Sequence, residues 1–374
     1  MNTKLSRRKF LKDVALLTSA SYLSSDLLNP KASFASKQHL VEARYYEKLD
    51  NQRVRCLLCP RRCVVGDKQR GFCEVRENRG GTYYTLVHSR PCTAHVDPIE
   101  KKPLFHVLPG TLAFSIATVG CNVDCKFCQN WQISQVRPEE TDNLDMPPDR
   151  VVELARSNGC PTIAYTYTEP TIFTEYMYDC AAAGRAQGVR SVMISNGYIN
   201  EEPMKDLCGV LDAVKIDLKA FTEKYYRDVV IGELKPVLDT LLTLKKTGVW
   251  IEIVYLTVPT LNDDPNDLKQ MCKWILSELG PDVPIHFTRF YPQYRLKNLP
   301  PTPVTTLVNA REIALEAGIN FSYVGNVPGH DGENTHCPHC GATAIKRIGY
   351  TILENNIKDG KCVACGKGIP GVWK

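Results

Sequence analysis

Leu112-Ala-Phe-Ser-Ile-Ala-Thr-Val-Gly-Cys121-Asn-Val-Asp-Cys125-Lys-Phe-Cys128 joins a short apolar run to three cysteines. Leu112–Thr118 has the length and content of a buried strand, and the cysteines follow it directly as a loop. Beyond them the chain alternates. Val151–Ser157, Thr171–Gln187, Glu201–Cys208, Lys235–Thr247, Asp267–Leu279 and Val304–Ala317 carry helical patterns, and two of these stop at Gly248 and Gly318. Thr162–Thr166, Ser191–Ser195, Ala213–Leu218, Val249–Thr257, Ile285–Phe290 and Asn320–Val324 read as the intervening strands. Strand and helix recur about every 30 residues, which predicts parallel strands with helical crossovers and an α/β fold. A partial (β/α)6 TIM-like barrel fits this count better than an open sheet. In either architecture reactive residues belong on the loops after strand C-termini, which is where the three cysteines fall.

At 374 residues and 43% hydrophobic, the chain can bury a sizeable core, and its 23% charged content is that of a folded protein. The net charge of +5 is concentrated at the start, where Lys4, Arg7, Arg8, Lys9, Lys12 and Lys31 face only Asp13 and Asp26. The remainder is near neutral, so charge gives no reason to expect nucleic acid or an acidic membrane as a partner. Ser6-Arg7-Arg8-Lys9-Phe10-Leu11-Lys12 precedes a mildly apolar stretch, Val14 to Leu28, interrupted by Asp26 and several serines. It falls short of the about 20 apolar residues that span a bilayer. Ser33-Phe34-Ala35 supplies small residues for cleavage after Ala35. Residues 1–35 thus resemble a twin-arginine export signal, implying a periplasmic or extracytoplasmic protein that meets the membrane only during export. The alternative is the frayed basic terminus of a cytoplasmic protein.

Eleven of the 16 cysteines fall into three tight groups, a pattern of metal binding rather than of a disulfide framework. Cys92, Cys160, Cys180, Cys208 and Cys272 stand apart and are expected to be small buried apolar residues. Cys56, Cys59, Cys63 and Cys73 can close a site by themselves, as a structural zinc or a second [4Fe–4S] cluster, with Arg61, Arg62 and Arg70 to offset the thiolates. Cys337, Cys340, Cys362 and Cys365 form two Cys-x2-Cys-Gly knuckles and predict a zinc-ribbon-like tail, with zinc favoured over iron and His336 and His339 as bystanders. The central Cys121, Cys125 and Cys128 lack a nearby fourth thiol. A zinc ion prefers four ligands, and His106 lies in a separate segment. On an iron–sulfur cube, three thiolates leave one iron open, whereas full ligation makes an electron carrier.

A Cys-x3-Cys-x-aromatic-Cys triad after the first strand of a βα repeat resembles the signature of radical S-adenosylmethionine (SAM) enzymes. The resemblance implies a [4Fe–4S] cluster on Cys121, Cys125 and Cys128, with SAM chelating the open iron through its amino and carboxylate groups. One-electron cleavage of SAM then yields a 5′-deoxyadenosyl radical that abstracts hydrogen from a substrate. It places Phe127 near the adenine. Glu169, in Tyr165-Thr-Tyr-Thr-Glu169-Pro170, stands where the family binds the SAM amino group, often with Gly-Gly-Glu; Tyr-Thr replaces the glycines here. A carboxylate suits an ammonium there, and a strand-end Glu can also cap the next helix. Ser195-Asn196-Gly197 stands where similar enzymes contact the SAM ribose or carboxylate. Lys215, Asp217 and Lys219 alternate and share one face of their strand, either in function, with Asp217 and Lys219 toward SAM, or as structural pairs.

Cys56-x2-Cys59-Pro-Arg61, Asp97-Pro-Ile-Glu-Lys-Lys-Pro103, Tyr167-Thr-Glu-Pro170, Gly325-Asn-Val-Pro-Gly329 and Ile369-Pro-Gly-Val-Trp373 together resemble the radical SAM member of the AmmeMemoRadiSam system. That group is itself similar to pyruvate formate-lyase activating enzymes. The resemblance covers roughly residues 50–374. It implies an enzyme with a flavodoxin- or ferredoxin-type electron donor, acting on a protein substrate or with AmmeMemoRadiSam partner proteins. A glycyl-radical-enzyme activase is one alternative; an iron–sulfur electron-transfer or metal-binding module is another, of a different class. The export signal departs from the family. The expected organisation is a leader at 1–35, a cysteine-rich segment at 36–110, a radical SAM core at 111–330 and the ribbon-like tail at 331–374.

Overall fold

The structure, a computed structural model, describes residues 40–374. The predicted export leader lies outside the described residues. One sheet of eight strands dominates: β1 (Thr93–Pro98), β2 (Leu112–Ala117), β3 (Thr162–Tyr165), β4 (Arg190–Ser195), β5 (Ala213–Asp217), β6 (Trp250–Thr257), β7 (Ile285–Arg289) and β8 (Ser322–Gly325). They lie side by side in chain order. β2 to β8 are parallel, and β1 runs antiparallel to β2 at the edge, from Thr93↔Ala117 to Pro98↔Leu112. The sheet runs from β1 to β8 without closing on itself, which makes the barrel partial.

The helices α1 (Pro148–Ser157), α2 (Thr174–Ala186), α3 (Glu201–Cys208), α4 (Leu234–Thr247), α5 (Pro265–Glu278) and α6 (Val304–Ala317) each connect consecutive parallel strands. These are the seven strands and six helices of the alternating pattern. Their cause is local. β3 is buried along its whole length, as strands covered on both faces must be. In α4, Leu234, Val237, Leu241 and Leu244 form one buried stripe at helical spacing. In α5, Pro265 takes the first turn, and the Asp264 carboxylate accepts the Asn266 N–H at 2.8 Å. β1 has no such signal: its Thr-Ala-His-Val-Asp-Pro is half exposed, and Pro98 is tolerated because the strand is an edge.

Before β1, the chain forms two small antiparallel sheets. One holds Val41–Glu42, Thr82–Thr85 and Arg76–Arg79; the other holds Tyr46–Lys48, Val54–Cys56 and Val64–Val65. They are tied to the barrel by a buried ion pair. Arg76 Nη1 donates to Glu175 Oε1 on α2 at 3.0 Å, and Arg44 N donates to the same oxygen at 2.9 Å. After β8, Thr335–His336, Thr343–Ile348 and Thr351–Asn355 form a three-stranded sheet. Buried Arg347 anchors it by donating to Phe105 O at 2.9 Å. Cys160, Cys180 and Cys272 are buried, and Cys92 and Cys208 pack half-buried against the same core, as expected of small apolar residues. Among the described residues no helix is long and apolar enough to cross a membrane.

Candidate active site

The C-terminal ends of β2 to β6 open on a cavity of about 490 Å³. Cys121, Cys125 and Cys128 line it, with Phe127, Glu169, Asn196, Lys215, Asp217 and Lys219. The cysteine loop is suspended from its surroundings. Asp124 N and Lys126 N donate to Val230 O and Val229 O at 3.1 and 2.9 Å, and Asn122 Nδ2 donates to Tyr198 O at 2.6 Å. Ser134 Oγ lies 3.2 Å from Cys128 Sγ, and Asn196 Nδ2 lies 3.9 Å from Cys121 Sγ. Burial pushes the Cys121 thiol well up and the Cys125 thiol up to about 12, so a metal centre must displace protons to bind.

The donor set fits a cluster rather than a single ion. The sulfurs of Cys121, Cys125 and Cys128 do not all lie within 4.8 Å of one another. Around one zinc ion, bonds of about 2.3 Å in a tetrahedron hold sulfurs about 3.8 Å apart. A cube spreads its thiolates over separate irons and suits the wider spacing. Among the described residues no other cysteine and no histidine lines the cavity.

Glu169 follows β3 and is 2% exposed. Its Oε1 accepts from Ser195 Oγ at 2.7 Å and Thr171 N at 2.9 Å, and its Oε2 accepts from Asn196 N at 2.8 Å. The Thr171 bond caps the turn that begins at Pro170, so the capping reading holds too. Burial raises the carboxyl above its ordinary value against these donors. Among the described residues it forms no ion pair with a side chain, which leaves it suited to a cationic ligand. Ser195 stands behind Glu169 and holds it; Asn196 holds it and also lines the cavity.

Lys215, Asp217 and Lys219 share one face, as their alternation predicts. Lys215 Nζ donates to Asp217 Oδ1, and Lys219 Nζ to Asp217 Oδ2 at 2.8 Å. Burial pushes the Asp217 carboxyl up, but the two ammoniums outweigh it and hold the group at about 2. Lys219 Nζ lies 5.7 Å from the centre of the Phe127 ring.

Sequence reasoning assigned no role to a second polar group on the cavity wall. Lys102 Nζ donates to Asp97 Oδ2 at 2.5 Å, Lys101 Nζ to Asp97 Oδ1 at 2.8 Å, and Tyr167 OH to Asp97. Burial lowers Lys102 to about 8, with Asp97 opposing it. Tyr167 has a left-handed backbone, φ 63°, and its carbonyl accepts from Asn130 Nδ2 at 2.6 Å. The only signal for these residues was the distinctive wording of Asp97–Pro103 and Tyr167–Pro170. Tyr350, at the tip of the C-terminal hairpin, also reaches the cavity.

The flanking cysteine groups differ from each other. At the tail, Cys337 and Cys365 sulfurs lie 3.7 Å apart and Cys340 and Cys362 sulfurs 3.9 Å. All four stand within 4.8 Å of one another, with no histidine among them. That set can hold one metal ion. His336 instead faces Asp331 at 3.6 Å. No three of Cys56, Cys59, Cys63 and Cys73 come so close. His106 is fully buried between Pro370 O and Tyr323 OH, at 2.7 Å from each, and serves packing.

A family model described as the radical SAM superfamily matches residues 115–275. An uncharacterized protein of Methanocaldococcus jannaschii is 46% identical over 330 residues, spanning 88% of this chain and 98% of that protein. A pyruvate formate-lyase-activating enzyme of Listeria monocytogenes is 22% identical over 178 residues, 45% of this chain and 70% of that enzyme. Among solved structures, a radical SAM methyltransferase from Sphaerobacter thermophilus shares 13% identity at a TM-score of 0.49, covering 82% of this chain and 86% of that one. The chain belongs to the radical SAM superfamily, enzymes whose general mechanism is the cleavage of SAM to a radical.

Proposed function

We propose that Cys121, Cys125 and Cys128 hold the [4Fe–4S] cluster and that SAM occupies the adjoining cavity with its ammonium on Glu169. The observation that carries this reading is the opening of three widely spaced sulfurs and an ion-pair-free buried carboxylate onto one cavity at the strand ends. When bound, cluster and SAM together supply reductive cleavage of the sulfonium to a 5′-deoxyadenosyl radical. The protein's part is positional. Ser195, Asn196 and Thr171 fix the Glu169 carboxylate in one orientation. Phe127 supplies an apolar wall against which the adenine packs, and Asp217 keeps Lys219 charged beside it. Loss of the open iron by full ligation, as in an electron-transfer module, would need a fourth thiol that the cavity wall lacks.

Glu169→Gln tests the SAM assignment. The amide keeps the shape, but it removes the charge and turns an NH2 toward groups that donate to the native carboxylate. The expected outcome is SAM binding weaker by about ten- to a hundredfold, with iron content retained. Equilibrium binding of SAM to the reconstituted variant measures it, and unchanged affinity would refute the role.

The finer reading is an AmmeMemoRadiSam-type enzyme that abstracts hydrogen from a protein substrate, such as a glycyl residue, with electrons from a flavodoxin- or ferredoxin-type donor. The sequence motifs and the distant likeness to an activating enzyme support it. The arginine pair at Arg7 and Arg8 supports export by the twin-arginine route; export of a reporter carrying residues 1–40 should stop when both become Lys. The tail cysteines fit zinc, since their 3.7 and 3.9 Å spacings match the edge of a zinc tetrahedron. Cys340→Ala should release about one zinc per chain and leave iron unchanged, as metal analysis would show.

A further inference from the structure

The first cysteine group is partly buried and touches the loop of the central triad. Cys56 and Cys59 are 6% and 8% exposed, whereas Cys63 is half-buried among exposed Arg62, Val64 and Phe72. Hydrogen bonds tie Cys56 and the Phe72 backbone to Cys63. Cys56 N donates to Cys63 O at 3.0 Å, and Phe72 N lies 3.5 Å from Cys63 Sγ. Gly71 leaves the Gly71-Phe72-Cys73 turn close enough that an added Cβ would stand 3.5 Å from that sulfur.

The same group is clamped to the loop of the central triad. Arg61 donates to the carbonyl of Asn122, the residue after Cys121, and to Ile231 O. Its guanidinium lies 3.4 Å over the Phe72 ring. On the other side Gly120, the residue before Cys121, meets Cys73 so closely that a Cβ would lie 2.8 Å from the Cys73 carbonyl oxygen. Gly120 also has φ 97°, so both space and backbone require glycine there. The two cysteine groups are therefore in direct contact through Arg61 and Cys73.

We infer that Cys56, Cys59, Cys63 and Cys73 hold a second, fully thiolate-ligated [4Fe–4S] cluster that relays single electrons to the cluster on Cys121, Cys125 and Cys128. The inference rests on the assignment of that central triad. No three of the four sulfurs lie within 4.8 Å of one another, whereas all four of the tail group do, and the wider set suits a cube better than a single ion. Full ligation gives a carrier rather than a catalyst. In each transfer a low-potential one-electron donor of flavodoxin or ferredoxin type is oxidised, and the outer cluster is reduced by one electron. The outer cluster returns to its oxidised state as the inner cluster takes that electron. No proton moves and no bond is made or broken. The exposed Val64 and Phe72 beside Cys63 provide an apolar patch against which the donor can seat.

The full chain, reconstituted anaerobically, should contain about eight irons and about one zinc. About four irons with about two zincs would overturn the second cluster. SAM should perturb the EPR signal of one of two reduced clusters; if it perturbs neither, the assignment of the central triad is at fault instead. When the chain is mixed with reduced flavodoxin and frozen in steps, the SAM-insensitive signal should appear first. Appearance of the SAM-responsive signal first would overturn the relay. In Cys63→Ser/Cys73→Ser, iron should fall to about four with the SAM-responsive signal retained, and the ratio of flavodoxin-driven to dithionite-driven SAM cleavage should fall about tenfold. An unchanged ratio in a variant that has lost the iron would also overturn the relay.

Discussion

Cys125→Ala in the full chain is expected to abolish SAM cleavage, with 5′-deoxyadenosine formation lowered by about a thousandfold or more. Cys125 is the most enclosed of the three cavity cysteines, and its loop is suspended by hydrogen bonds at Asp124 and Lys126. The loop geometry should therefore survive the substitution while one corner of the cluster site is lost. Iron content should fall by about four per chain, and the SAM-dependent EPR change should vanish. A metal bound at the tail should remain, because its four cysteines do not line the cavity. SAM cleavage at wild-type rate by Cys125→Ala would refute the central assignment outright.

Glu175→Ala is expected to cause the largest loss of stability of any single side-chain truncation proposed. Arg76 and Glu175 are each about 1% exposed. Removing the carboxylate strands a buried guanidinium and also frees the Arg44 N–H that it accepts. Breaking such a pair costs about 3–5 kcal/mol. At an unfolding entropy of about 2.1 cal/mol/K per residue, each kcal/mol shifts Tm of a chain of this size by about 1.3 °C, so a fall of about 4–7 °C is expected in thermal unfolding. Replacing both residues with apolar ones of similar volume should recover most of the loss. The pH dependence has a definite sign. Burial alone would raise the Glu175 carboxyl, but Arg76 outweighs it and holds the group below its ordinary value. Its contribution is therefore full above the unfolded carboxyl value of about 4.3 and is lost as pH falls through the folded one. In Glu175→Ala that part of the acid sensitivity should disappear.

The barrel was readable because its elements are local. Buried parallel strands such as β3 are continuous apolar runs, and helices such as α4 carry a stripe at a fixed period. Neither pattern depends on distant partners. The edge strand β1 was not readable, since half its residues face solvent and its pairing is supplied by β2. Glu252 was equally silent. In sequence it is one acidic residue inside an apolar strand; in the fold it accepts the N–H groups of Phe105 and His106 at 3.0 and 2.8 Å and faces His286 at 2.8 Å. Burial of a carboxylate is tolerable only with such donors, and they come from segments far apart in the chain.

The cysteine motifs show the same division within one chemistry. Spacing along the chain determined which thiols form groups, because neighbours a few residues apart must lie near one another whatever the fold. It also placed the central triad after a strand, and so at the reactive end of the barrel. It could not separate a four-cysteine ion site from a four-cysteine cluster site, because four thiols gathered along the chain can serve either. What the structure adds is the spacing of the sulfurs: 3.7 and 3.9 Å at the tail, where all four lie within 4.8 Å, and no such close set in the first group. Those distances depend on how the backbone of each group is held by the rest of the molecule. Only the tertiary structure, too, brings Lys102 and Tyr167 to the cavity, joined through Asp97, and sets Cys73 against Gly120, since these contacts join residues whose separation in sequence carries no periodic signal.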